Sequence, residues 1–169
     1  TDSHHGGWSG ARLRWAGFDG VIFKGRARKP TYAYVEGEKV TLKSAARIWG
    51  KNVHDTVKAL TKAHGSKDIS VVAIGQAGEK LVRFAAIVNE NDRASGRGGT
   101  GAVMGWKRLK AVAIKGNIKD KPKPARPEDF KKAVALGNTA IVKGDVTAPR
   151  KGGLSVYGTN VLMNIVNEI

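Results

Sequence analysis

The chain has 169 residues, 41% of them apolar, which is enough to bury the core of one ordinary domain and argues against a disordered segment. It has no cysteine, so disulfides, thiolate metal sites, iron–sulfur ligation and cysteine nucleophiles are excluded within these residues. Lys and Arg number 30 against 14 Asp and Glu, and the resulting net charge of +16 favours polyanions as partners: nucleic acid, anionic lipid or a phosphorylated cofactor.

No apolar run approaches the roughly 20 residues that a membrane span needs, and the opening TDSHHGGWSG has neither the basic nor the apolar region of a secretory signal. Trp8, Ala11, Trp15 and Phe18 fall at helical spacing, with Ser9 as a cap and Gly17 and Gly20 as stops, so a short helix is expected over 9–16. The run GVIFKG predicts a buried strand at 20–24. Tyr32-Ala33-Tyr34-Val35 and KVTLK predict a hairpin turning around Glu36, Gly37 and Glu38. Val53, Val57, Leu60 and His64 share one face of a helix over 52–64, ended by Gly65. ISVVAIG predicts a strand at 69–74, and LVRFAAIVN, 81–89, suits either strand or helix. A helical pattern near 100–108 is followed by a strand near 110–115.

The segment NIKDKPKPARPED carries three of the five prolines and reads as a linker, and Pro127 opens a helix expected to reach Leu136 and stop at Gly137. From Tyr157 onward, Leu162, Ile165, Val166 and Ile169 form an apolar helical face. The start on Thr rather than Met, and the end on an apolar residue with no polar tail, are expected of a cut or processed chain. These elements predict an α+β fold, mixed β-sheets with short helices forming a base, followed by a helical segment. The expected organisation is a domain at 1–116, a Pro/Lys-rich linker with a short helix at 117–153, and the start of a helical domain at 154–169.

The chemistry concentrates in residues 89–116, where a glycine-rich loop carrying Arg93 and Arg97 leads into a helix. Glycines admit phosphate oxygens close to backbone N–H groups, and a helix start with arginines supplies positive potential. Gly96, Gly98 and Gly101 spell GxGxxG, a weak match with no strand directly before it and no suitable acid after it, so glycines for close helix–sheet packing are the better reading than a dinucleotide site. DSHHGGWSG offers a second turn for an anion. Its adjacent His4 and His5 point in different directions on an extended chain, which favours exposed or hydrogen-bonded loop histidines over a metal site. His54 and His64 read as surface or interface residues, Ser95 as a loop serine that hydrogen-bonds backbone and Glu79 as a helix cap. Tyr32 and Tyr34 share a strand face that could stack bases, although sheet packing is commoner.

Longer blocks carry a family resemblance. GARLRWAGFDGVIFKGRARKPTYAYVEGEKVTL has the order of a helix ending in an AGYD-like motif and then a hairpin. IGQAGEK, RASGRGG and GAVMGWKRLKA resemble IGPAGE, RAAGRGG and GAVMGSKNLKA, and LSVYGTNVLMNIVNEI resembles the opening of a following helical domain. The chain resembles the N-terminal part of the tungsten-dependent aldehyde:ferredoxin oxidoreductases, across nearly all of residues 1–116 and 154–169.

The resemblance implies a base of two β-sheets under a tungsten bis-pterin cofactor (tungstopterin) with a bridging magnesium. Its activity would be oxidation of aldehydes to carboxylates, with electrons leaving through a 4Fe–4S cluster to ferredoxin. Arg93 resembles the pterin-phosphate arginine, with Gly96 and Arg97 in the same loop and Gly6 on the other pterin. Ala94 and His4 correspond to residues that donate backbone carbonyls to magnesium; His4 stands where Asn is common, which a backbone role survives. No catalytic residue falls within the chain. The resemblance places the cluster cysteines in a missing remainder or a cysteine-bearing subunit, so these residues alone are expected to be inactive. It further implies ferredoxin or another acceptor as a partner, room for a homo-oligomer and a cytoplasmic location, with nucleic acid as the disfavoured partner. A basic nucleic-acid-binding module and the scaffold of an aromatic thioester reductase are the alternatives.

Overall fold

The computed structural model describes residues 2–65, 68–90 and 92–167, and for residues 164 and 165 the backbone alone. The chain divides into two compact units, one up to Pro122 and one from Lys123 onward.

In the first unit the order is α1 (Ser9–Trp15), β1 (Thr31–Glu36), β2 (Lys39–Ser44), α2 (Val53–His64), β3 (Ile69–Ala73), α3 (Gln76–Glu79), β4 (Ile87–Asn89), β5 (Arg93–Ser95), α4 (Thr100–Trp106), β6 (Leu109–Lys115) and a 3-10 turn at Ile118–Asp120. The strands form one six-stranded sheet in the order β2-β1-β6-β3-β4-β5. Only β1 and β6 run parallel; the other neighbours are antiparallel. The α+β class is therefore as expected, although the described residues make one mixed sheet where the resemblance implied two.

Alternation along the central strands divides the core between the two faces of the sheet. Tyr32 and Tyr34 of β1, Val71 of β3, and Ala111 and Ala113 of β6 pack with Leu60 of α2. Val35 and Ile114 pack instead with Ala16 and Leu13 at α1, and Ala33 and Leu109 with Met104 of α4. Helix α2 begins at Asn52, whose side chain accepts from the Asp55 N–H at 2.8 Å, a cap worth about 1 kcal/mol. The β1–β2 hairpin turns through Gly37 and Glu38, both with positive φ (53° and 60°), the conformation of a two-residue turn matched to strand twist.

Several expectations change. Residues 20–24 form no strand; Ile22 is 84% exposed and Phe23 alone reaches the core. Of the run 81–89, only Ile87–Asn89 is a strand. Ser9 lies inside α1 and caps nothing; the N-cap position is Trp8. His64 is not a plain surface residue. Its ring stacks on Tyr34 at 3.9 Å between centroids, and its Nε2 hydrogen-bonds the Tyr32 hydroxyl at 2.9 Å.

The second unit contains α5 (Pro127–Lys143), α6 (Gly153–Tyr157), a 3-10 turn at Gly158–Leu162 and α7 (Met163–Asn167). Pro127 opens α5 as expected, but the helix runs through Gly137 because one interior glycine costs only about 1 kcal/mol. The terminal apolar pattern is divided among short helical pieces, with a break at Gly158 (φ 59°). Ile169 and the side chain of Ile165 lie outside the described residues.

Candidate functional site

A strap of residues 2–8 crosses the β4–β5 hairpin at the edge of the sheet. Asn89, fully buried on β4, donates its Nδ2 to the Gly6 carbonyl at 2.6 Å. The Trp8 N–H donates to the Glu90 carboxylate at 3.1 Å, and the Arg97 N–H to the Ser3 hydroxyl at 3.1 Å. His5 joins Ser95 through Nδ1 at 2.8 Å and Ser9 through Nε2 at 2.9 Å. Gly7 adopts φ 92°, and a Cβ there would lie 2.4 Å from the Asn89 amide nitrogen, so the strap can rest on Asn89 only with glycine at this position.

This crossing brings together every site residue read from the sequence. His4 and Gly6 sit on the strap; Arg93, Ala94, Gly96 and Arg97 sit on β5 and the loop after it, and all six are exposed. The Arg93 side chain passes Gly6, whose added Cβ would be 3.5 Å from Arg93 Cδ. Its carboxylate neighbour, Asp92 at 3.7 Å, is itself mostly exposed, and such a surface pair holds an arginine weakly. Glu90 is committed elsewhere, accepting from Trp8 N–H and from the buried Ser70 hydroxyl at 2.7 Å. Burial lowers the pKa of His5, opposed by the Glu90 charge, so the imidazole is neutral near pH 7 and offers one donor and one acceptor to its two serines.

The glycines divide in function. Gly101 and Gly105 are packing residues: a Cβ would come within 2.5 Å of the Ala86 carbonyl at the first and 1.8 Å of the Gly78 carbonyl at the second. The start of α4, expected as an anion seat, is filled by protein, with the Gly101 N–H donating to the Ala85 carbonyl at 2.9 Å. Gly96 differs, having no atom within 4 Å of an added Cβ. Two exposed guanidiniums and an open glycine beside an edge strand together fit a phosphate-bearing group. Among the described residues no group of three or more His, Cys, Asp or Glu could hold a metal ion, so a cation here would need backbone or ligand oxygens.

Sequence reasoning missed Asn89 and the specific bonds of His5 to Ser9 and Ser95, the latter 90 residues away in sequence. Ser95 is no loop serine; it is a buried strand residue. Glu79, expected as a helix cap, caps neither α3 nor α2. It pairs with Lys110, the two side chains being 6% and 0% exposed. A basic Lys in an apolar strand gave no hint that it was buried.

Residues 1–116 match the family profile of the aldehyde ferredoxin oxidoreductase N-terminal domain. The chain belongs to the aldehyde ferredoxin oxidoreductase family. It is 43% identical to the tungsten-containing aldehyde ferredoxin oxidoreductase of Pyrococcus furiosus over 99% of this chain and 27% of that protein. It is 42% identical to the corresponding Thermococcus kodakarensis protein, over 99% of this chain and 27% of that one. A WOR-like subunit of aliphatic sulfonate oxidoreductase from Pyrococcus furiosus is 39% identical over 64% of this chain and 19% of its own length. Among solved structures, the active-site complex of a benzoyl coenzyme A reductase with 1,5-dienoyl-CoA superposes with a TM-score of 0.76 at 34% identity, covering 82% of this chain and 21% of that one. The chain thus spans about a quarter of the length of its full relatives. Among the described residues, no helix is long and apolar enough to cross a membrane.

Proposed function

We propose that this family member seats the phosphates of a tungsten bis-pterin cofactor in an aldehyde:ferredoxin oxidoreductase. One observation carries the reading: the strap and the hairpin bring Gly6, Arg93, Gly96 and Arg97 to a single open crossing, with both guanidiniums exposed. Arg93 and Arg97 would bind phosphate oxygens, Gly6 and Gly96 would let the group approach the backbone, and the carbonyls of His4 and Ala94 would hold a bridging magnesium. When bound, the cofactor supplies the metal at which an aldehyde is oxidised to a carboxylate. The contribution of these residues is binding and orientation. With no cysteine in the sequence, the 4Fe–4S cluster that passes electrons to ferredoxin would be ligated by residues outside these 169, which on their own would be inactive. The same reading gives a cytoplasmic enzyme.

The test is elemental and pterin analysis of the holoenzyme carrying this chain, beside its Arg93→Ala and Arg97→Ala variants. Tungsten and pterin in the parent, lost on gel filtration from the variants, is the expected result. A parent without either would overturn the proposal. Turnover of an aldehyde against an aromatic acyl-CoA thioester separates this activity from the thioester-reductase alternative, which the benzoyl coenzyme A reductase likeness keeps in view.

One observation favours a second reading as a basic nucleic-acid module. Residues 20–35 and 93–119 have no carboxylate, and they meet where the Ala27 N–H donates to the Lys107 carbonyl at 3.0 Å. Beside that junction Trp106 is 50% exposed, with Arg26 5.6 Å and Lys107 5.9 Å from its ring centroid. Aromatic rings among cations can stack single-stranded bases. Trp fluorescence titrated with an oligonucleotide decides this: steep weakening with salt supports it, and no binding at low salt removes it.

A further inference from the structure

The two halves of the phosphate seat come from distant parts of the chain, and something must fix their separation. The strap has little packing to do so. Residues 4–8 are exposed, and beneath them lies a cavity of about 360 Å³ lined by His5, Ser9, Leu13, Phe23, Val72 and Val112. Hydrogen bonds therefore carry the attachment. Ser3 reaches the loop at Arg97, Asn89 reaches Gly6, and Glu90 reaches Trp8. His5 ties three elements together: the strap itself, α1 through Ser9 and β5 through Ser95, both serines being buried.

We infer that His5 is a positioning residue, a clasp that fixes the Gly6 turn against the Arg93–Arg97 arm and so sets the spacing at which two phosphate groups are held. The inference rests on the cofactor reading above for its purpose, but not for its geometry. His5 does not touch the phosphates in this role. It acts through Ser95, which lies between Ala94 and Gly96 on the arm, and through Ser9, which anchors the strap to α1. A ring with nitrogens on opposite sides suits such a bridge, because each hydroxyl can serve as donor or acceptor and both bonds form with a neutral imidazole. Ala at this position would leave two buried hydroxyls without their partner.

The experiment is a double-mutant cycle in the holoenzyme: His5→Ala, Ser95→Ala and the pair together, with His5→Gln as the variant that keeps one bond. Amide hydrogen exchange of residues 2–8 and 93–97 is read beside tungsten and pterin retention. Loss of one neutral hydrogen bond changes an equilibrium by about tenfold, so protection of both segments should fall by about that factor in Ser95→Ala and by more in His5→Ala, which also breaks the bond to Ser9. The double variant should match His5→Ala, because that change already breaks the bond to Ser95. His5→Gln should restore part of the protection, and cofactor retention should follow the same ranking. Unchanged protection in His5→Ala, or full additivity in the double variant, would overturn the clasp. If the parent binds no tungsten or pterin, the cofactor reading fails, while the exchange data still decide whether the clasp exists.

Discussion

Lys110, in the middle of the sheet, and Glu79, at the end of α3, form an ion pair with almost no solvent access. Lys110 Nζ also donates to the Lys51 carbonyl at 2.7 Å, and the Glu79 carboxylate accepts from the Gly50 N–H at 2.9 Å. The pair therefore fastens α3 and the loop before α2 to β6, with other polar atoms helping to satisfy both charges. Glu79→Gln and Glu79→Leu should each cost about 3–5 kcal/mol, because either leaves a buried ammonium without its counter-charge. Lys110→Met combined with Glu79→Leu should recover most of that loss, since two apolar groups leave no charge to solvate. Urea denaturation of the four proteins checks this, and a double variant as unstable as the singles would mean that shape rather than charge matters here.

His64 gives the first unit an acid-sensitive contact. Burial lowers its pKa from 6.5, with Lys43 and Lys115 pushing the same way and Glu36 opposing them. Lys43 also lies 4.5 Å from the Tyr34 ring centroid, so a proton on His64 would put a second cation on one aromatic stack. The folded state thus prefers the neutral ring. Its stabilising contribution is complete above the unfolded value of 6.5, erodes as pH falls through that value, and is gone once pH is below the lower folded value. The NMR titration of the His64 ring should show a midpoint below 6.5, and His64→Phe should flatten this part of the pH dependence of unfolding. A midpoint at or above 6.5 would contradict the burial argument.

What could be read from the sequence follows the range of the forces involved. The alternation of Tyr32, Ala33, Tyr34 and Val35 and the helical spacing of Val53, Val57 and Leu60 are local signals, and the corresponding elements formed where expected. The run at 20–24 carries the same local signal as a strand, but its backbone finds no neighbouring strand, and pairing is a property of the whole sheet. The opposite happens at β5, where Arg93-Ala94-Ser95 has no strand character of its own and is ordered by pairing with β4. The residues proposed to seat an anion come together in the fold, but not in the geometry expected of them. The helix start at α4 is closed by Ala85, and the proposed seat lies between segments more than 80 residues apart in sequence. Lys110 was illegible because nothing near it in sequence shows that Glu79, 31 residues away, will meet it inside the core.

The interior of α5 offers a gain in stability. Gly137 lies in the middle of that helix, with nothing within 4 Å of an added Cβ. Alanine there removes backbone freedom from the unfolded chain and adds no clash. Gly137→Ala should therefore stabilise α5 by about 0.5–1 kcal/mol. The helical circular dichroism signal during thermal unfolding is the readout, and a lower midpoint would mean that the glycine serves a close approach to another surface.

Gly96 and Gly105 lie nine positions apart and should respond in opposite ways to the same substitution. At Gly105 a Cβ would be 1.8 Å from the Gly78 carbonyl, so alanine must push α4 away from α3. Overpacking of this kind costs about 1–3 kcal/mol, and Gly105→Ala should unfold at lower urea whether or not any cofactor is present. At Gly96 an added methyl meets no protein atom within 4 Å, so Gly96→Ala should fold with unchanged stability. Its cost should appear only when the phosphate-bearing group is bound, as faster loss of pterin and tungsten on gel filtration. Denaturation and cofactor retention measured on both variants separate the two roles. If Gly96→Ala retained cofactor like the parent, the opening beside Arg93 and Arg97 would not be where the phosphates approach the backbone, and the seat would have to be built from the arginine side chains and the Gly6 turn.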